Sequence, residues 1–228
     1  MLIPTGAVEQ HGPHLPLMTD ALIVEEIANS SEQRLPDSVL LTPTLWLGAS
    51  AQHLAFAGTL SASFASYQSS LRAVIDSLSG HGFHTFFVLN GHGGNSDANR
   101  IVLRELKEAH PNFTLAHAAY YDLIEREISE SLLGPSKRMT HGCEAETSLV
   151  LHLRPELVRL DSGQKDGLRA EPPIEGLVVR FEQLSHNGSI GYPGFATVET
   201  GSKLFAAAVA AVCIQLERMA NPYVMVEI

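Results

Sequence analysis

The sequence predicts a single α/β domain over residues 1–228, built on a parallel sheet. Three observations predict it. Two apolar runs of strand length, residues 1–8 and 85–89, each break into a glycine-containing loop that hands over to a helical stretch. Between and after them, apolar residues recur at helical spacing. A composition of 45% hydrophobic and 18% charged residues in a chain of 228 suits one buried core.

Residues 1–8 read as a central strand that delivers a loop at its carboxyl end. The chain starts inside that run, so a further N-terminal piece is expected in the natural protein. After the loop, Asp20 opens an amphipathic helix, because an acidic residue favours a helix start. Residues 38–43 read as a second strand, followed by a loop that carries His53 among small neighbours. Tyr67, Leu71, Val74, Ile75 and Leu78 mark a helix that stops at Gly80. Residues 85–89 form the clearest strand, the Asn90–Asn95 loop breaks it, and a helix runs over 96–109. A further strand is expected near residues 113–120, then a helix and a loop over 122–138. A late helix begins near Glu144 and is stopped by Pro155. Residues 164–182, with Gly167, Pro172, Pro173 and Gly176, read as a covering segment, and a final helix spans 200–219.

The net charge of −10 and a pI near 5.5 exclude a nucleic-acid partner, which needs a basic surface. No run is long enough to cross a bilayer, so membrane partners are not expected either. Cys143 and Cys213 are the only cysteines, which gives no disulfide framework and makes the cytoplasm the expected location. The expected partner is a small molecule.

The stretch Glu9-Gln10-His11-Gly12-Pro13-His14-Leu15-Pro16 and onward to Asp20 reads as half of a metal site. Glu9 and His11 are two apart, so in an extended segment an oxygen and a nitrogen ligand address one ion. Gly12, Pro13 and Pro16 make a stiff loop that brings Asp20 back, where its carboxylate can bridge two ions. His92, in Asn90-Gly91-His92-Gly93-Gly94-Asn95, adds an imidazole from a second strand end. Glu144 or Glu146 adds an acid from the late helix. Such a set suits zinc, iron(II) or manganese. On a regular helix Glu144 and Glu146 point roughly 200° apart, so one ion cannot face both. His141 and Glu144 share a face, which favours Glu144; if Thr140 or His141 precedes the helix, Glu146 stays open. The Asn90 loop also reads as an anion cradle, although it lacks a P-loop lysine. His14, His81, His84, His110, His117 and His186 have no paired ligand, and His152 reads as structural. Cys143 and Ser148 read as buried structural residues, since no Gly-x-Ser-x-Gly elbow is present.

On Gly6 to Pro16 with Asp20, on Asn90 to Asn95, on His141-Gly142 with Glu146-Thr147-Ser148, and on the loop His53 to Thr59, the sequence resembles the creatininase family of metal-dependent amidohydrolases over nearly its whole length. The resemblance implies a three-layer sandwich with a central, mostly parallel sheet flanked by helices. It implies two divalent ions per chain, cleavage of C–N bonds in cyclic or linear amides, and a homo-oligomer, hexameric in many members. By position it implies that Glu9 and His92 hold one ion, His11 the other, and Asp20 bridges them. It places Glu146 as the last ligand, with Glu144 as second choice. His141 is then expected to stabilise the oxyanion or protonate the leaving nitrogen, with Glu144 or Glu146 moving the proton. Creatinine-hydrolysing members carry a carboxylate where this chain has Gly94, and close over the ring with tryptophans. Trp46 is the only tryptophan here, so creatinine is not the expected substrate. The pattern is closer to branches resembling formamide deformylases and the peptidase of mycofactocin maturation. Two rival expectations are a member that binds metal or ligand without catalysis, and a metal-free phosphate-binding domain.

Overall fold

The computed structural model describes residues 1–162, 166–169, 174 and 176–220. Chain order runs β1 (Leu2–Thr5), α1 (Thr19–Arg34), α2 (Phe64–Ser79), β2 (Thr85–Asn90), α3 (Ser96–Ala109), β3 (Thr114–Ala119), α4 (Glu125–Ser131), α5 (Glu144–Leu153), α6 (Phe181–Leu184) and α7 (Val198–Ala220), with short 3-10 turns between. Among the described residues β1, β2 and β3 form a parallel sheet in that spatial order. Its register sets Thr5 opposite Asn90 and Asn90 opposite Ala119, so all three carboxyl ends open on one edge.

Successive strand residues point to opposite faces, and here both faces are covered. Leu2, Phe87 and Leu89 enter a core shared with α1, α4, α5 and α7. Ile3, Phe86 and Val88 enter a second core, closed by α2 and α3. Fully burying one such side chain contributes about 1.5–3 kcal/mol, which explains why the strands are apolar without alternation. The chain is thus a three-layer α/β sandwich, as its sequence predicts.

Several elements differ from the sequence-based expectation. Residues 38–43 do not form a strand; Leu41 and Leu45 make single parallel bridges to Leu2 and Thr5. Pro43 lies between those bridges and has no N–H to donate to a ladder. α2 starts at Phe64, because Ser63 caps it by accepting from Ser66 N at 3.1 Å. The 122–138 stretch holds a 3-10 turn, Asp122–Ile124, leading into α4. Of the expected covering segment, residues 164, 165, 170–173 and 175 lie outside the described residues. Within its described part, Leu168 bridges Ser185 in antiparallel fashion and α6 begins at Phe181. Among the described residues no helix is long and apolar enough to cross a membrane.

Candidate active site

The carboxyl edge of the sheet gathers residues far apart in sequence. β1 runs into the loop that carries Glu9 and His11, the first turn of α1 presents Asp20, β2 runs into His92, and the first turn of α5 presents Glu146. All five are buried. Asn90 shapes the turn after β2: its amide donates to His92 O at 2.6 Å, and its Oδ1 accepts from His92 N at 3.2 Å and from Thr5 Oγ1 at 3.0 Å. Asn95 ties two further strand-end segments together, donating to Gly6 O at 3.0 Å and accepting from Ala49 N at 2.9 Å.

Backbone carbonyls set the direction of both imidazoles. His11 Nδ1 lies 3.1 Å from Glu9 O. A carbonyl only accepts, so that nitrogen carries the proton and Nε2 is turned toward Asp20 Oδ1 at 3.0 Å and Glu146 Oε1 at 3.8 Å. His92 Nε2 lies 3.2 Å from Ala49 O, which turns Nδ1 toward Asp20 Oδ2 at 3.1 Å and Glu9 Oε1 at 3.3 Å. Asp20 therefore has one oxygen on each imidazole. Among the described residues three groups of facing ligand atoms result, the atoms of each within 4.8 Å of one another: Glu9 with Asp20 and His92, His11 with Asp20 and Glu146, and Glu9 with His53 and His141; Asp20 is common to the first two.

The electrostatics call for positive charge at this edge. Both oxygens of Glu9 and Oδ2 of Asp20 are buried and accept no well-aligned hydrogen bond from the described residues. Burial opposes a charge on His11, yet Asp20, Glu146 and Glu9 outweigh it and push its pKa up to about 10. His92 is raised well above its ordinary value in the same way, against burial, by Glu9 and Asp20. Burial would raise Glu9 and Asp20, but the facing imidazoles hold both carboxyls below their usual range. Glu146 is pushed up to about 7, first by burial and then by Asp20, with His11 opposing. Without metal ions, protons on the two imidazoles occupy the place of cations. Hard oxygens and imidazole nitrogens in this arrangement fit a pair of divalent ions.

Glu144 does not join the cluster. Its Oε1 accepts from Leu133 N at 2.6 Å and its Oε2 from Gly134 N at 2.8 Å, so the expected proton-transfer role beside His141 is corrected to a structural one. The reason is the phase of the helix. Cys143 is extended at φ −88° and ψ 179°, and α5 begins only at Glu144, so spacing counted from His141 does not carry through. Glu146 takes the inward direction, and its Oε2 also accepts from Cys143 N at 3.3 Å. Gly94 shows why no carboxylate stands two residues after His92. A Cβ there would lie 2.4 Å from both Ala49 O and His92 Nε2.

The cluster floors a cavity of about 560 Å³. Its sides include Tyr121, Ile128, Met139, Phe181 and Leu184, and Asp122, Glu125 and Arg138 also line it. His141 stands within it, Nδ1 3.5 Å from Glu9 Oε1. Burial first, then the facing His11, lowers its pKa well below the ordinary value, so the ring is neutral. The sequence reading did not select His53, whose Nε2 is 3.6 Å from Glu9 Oε1 and whose ring lies 4.4 Å from that of His141. Gln10, which contacts both rings, was also passed over. The signal for these two was their membership of the matched stretches.

A protein-family model described as "Creatininase: Creatinine amidohydrolase" matches residues 1–216. The chain is 32% identical over 218 residues to a "Mycofactocin precursor peptide peptidase" of Mycobacterium ulcerans (strain Agy99), covering 90% of this chain and 80% of that protein. It is 28% identical over 231 residues to a "Creatinine amidohydrolase" of Pseudomonas putida, covering 94% and 85%. A solved structure named "Creatininase Mn" superposes with a TM-score of 0.83 at 27% identity, covering 97% of this chain and 90% of that one.

Proposed function

We propose, from the premise that the chain belongs to the creatininase family, that it hydrolyses the C–N bond of a small amide, cyclic amide or formamide at a site holding two divalent ions. Family membership makes it a hydrolase of amide C–N bonds, and the similarity to a peptidase extends the candidates to peptide bonds. The observation that carries the reading is the set of buried carboxylate oxygens that face two oriented imidazoles, with Asp20 common to both halves. Glu9, Asp20 and His92 would hold one ion and His11, Asp20 and Glu146 the other; the ions are zinc, iron(II) or manganese, and a creatininase structure is named for manganese. When bound, such a pair lowers the pKa of a water molecule and polarises the substrate carbonyl.

The chain's own residues supply the rest. Asp20 sets the separation of the two halves. His141 Nε2 lies 2.6 Å from Gln10 O and so carries the proton, which leaves Nδ1 free to take a proton and return it to the leaving nitrogen. Phe181 and the apolar wall shield that transfer from bulk water. A phosphate on the Asn90 loop is disfavoured, since it would sit against Glu9, Asp20 and Glu146. Exposed Trp46, Leu54 and Phe64 support assembly with further copies of the chain, and free Cys143 and Cys213 suit a reducing cytoplasm.

The test is elemental analysis of protein purified without chelator, together with turnover of an N-formyl amino acid, a short peptide and creatinine. About two divalent ions per chain and chelator-sensitive cleavage of a C–N bond are expected. Protein that neither takes up metal on reconstitution nor cleaves any amide would overturn the reading.

A further inference from the structure

Gln10 is buried between two residues of the acidic cluster, and its side-chain nitrogen and backbone carbonyl meet the two histidines that stand beside Glu9. We propose that Gln10 is a positioning residue that gives those histidines complementary edges: His53 presents an N–H to the cavity and His141 a bare nitrogen. The catalytic use of this pair rests on the hydrolase reading above; the assignment of protons does not.

Gly12 N donates to Gln10 Oε1 at 3.0 Å, which identifies the amide oxygen and turns Nε2 toward His53 Nδ1 at 2.9 Å. An amide nitrogen only donates, so His53 Nδ1 is bare and Nε2 carries the hydrogen. That Nε2 is 3.6 Å from Glu9 Oε1, too far for a hydrogen bond, and the N–H remains unspent among the described residues. Gln10 Nε2 also lies 3.1 Å from His141 Nε2, but the 2.6 Å approach of the same ring nitrogen to Gln10 O requires the proton on the histidine. His141 thus shows its bare Nδ1 to the cavity. One residue orients both rings, His53 through its side chain and His141 through its carbonyl.

The arrangement is enclosed on other sides. Phe181 stacks on His53 at 4.3 Å and meets His141 edge-on at 4.6 Å. Gly188 sits at φ +84°, and a Cβ there would come 1.8 Å from Gln10 Oε1, so the amide keeps its place only beside a glycine. In hydrolysis, His53 N–H would donate to the oxygen that becomes negative, without transferring its proton. His141 Nδ1 would take a proton from the attacking water and give it to the nitrogen as the C–N bond breaks.

The test uses the metal-free full chain labelled with ¹⁵N-histidine, read by long-range proton–nitrogen correlation at a pH where both rings are neutral. Signals are assigned from His53→Gln and His141→Gln. In the wild type both rings are expected to carry hydrogen on Nε2. In Gln10→Glu a carboxylate replaces the donating amide while still accepting from Gly12 N, so the His53 hydrogen is expected to move to Nδ1 and that of His141 to stay. With metal restored, kcat of this variant on whichever amide the wild type cleaves is expected to fall by about 10²–10³, with KM changed less. Hydrogen on Nδ1 of His53 in the wild type, an unmoved hydrogen in the variant, or a shifted hydrogen with unchanged kcat would each overturn the proposal. If the variant does not fold, the wild-type spectrum alone decides. Failure of the hydrolase reading would show separately, as absence of metal uptake and turnover.

Discussion

Two regions of this molecule bury carboxylates, and they solve the problem differently. At the start of α5, Glu144 is 0% exposed, and each of its oxygens receives a backbone N–H, from Leu133 and Gly134. At the sheet edge, Glu9 is 1% exposed, and neither oxygen has a well-aligned donor among the described residues. A buried carboxylate bonded to neutral amides is complete, whereas one left without donors carries a desolvation penalty of several kcal/mol that only nearby positive charge offsets. Burial and residue type are the same in both regions. The partners separate a structural acid from a candidate ligand.

Substitutions can break that contrast, and the largest effect is expected at Asp20, which faces both imidazoles. Asp20→Ala should abolish the binding of both ions and all measurable turnover; retention of two ions by elemental analysis would refute the shared-ligand assignment. Glu146→Gln should lose one of the two ions and most activity, because only the His11 half depends on it. His141→Ala should keep the full ion content while kcat drops by about 10²–10⁴, the range for a lost acid–base group. Glu144→Ala should spare ions and turnover and instead lower the free energy of unfolding by about 1–3 kcal/mol, since the buried amide of Gly134 and the half-buried one of Leu133 lose their acceptor. Denaturant titration beside metal analysis tells these classes apart.

The smallest expected effect concerns pH. His11 in the ion-free protein is raised from its ordinary 6.5 to about 10, so its proton stabilises the fold fully below about 6.5, and that contribution fades as pH rises through about 10. Metal must displace this proton. Zinc uptake at pH 7 should therefore release protons, measurable by calorimetry in buffers of different ionisation enthalpy, and apparent affinity should rise with pH. Pure buffer-independent heat would indicate that the imidazoles are not displaced from their protons.

Much of the architecture was legible in the chain. The apolar runs at residues 1–8 and 85–89 locate two strands of the sheet, since burial on both faces demands such runs. Gly12, Pro13 and Pro16 mark the stiff loop between Glu9 and Asp20 because they act on their own backbone. The supposed strand at residues 38–43 was not legible as an irregular edge: its apolar pattern is real, but Pro43 and a position outside the ladder decide its form. On α5 the rule of 3.6 residues per turn was sound, and its starting point was not, because the extended Cys143 comes before the first turn. His53 and Gln10 escaped selection for a related reason, since they meet 43 positions apart and under a phenylalanine from α6.

The sequence by itself determined the fold class, the loop from Glu9 through His11 to Asp20, the loop that carries His92, and an acid at the start of the late helix, Glu144 or Glu146, as the candidate ligands. Those features come from local chemistry: side-chain periodicity, turn residues and ligand spacing operate over a few positions. Only the tertiary structure decided which glutamate of α5 faces inward, which ring nitrogens are bare, and that His53 stands beside His141. Each of these depends on a partner that a parallel register and the packing of helices bring in from elsewhere in the chain, and a hydrogen-bonding direction exists only once donor and acceptor have met.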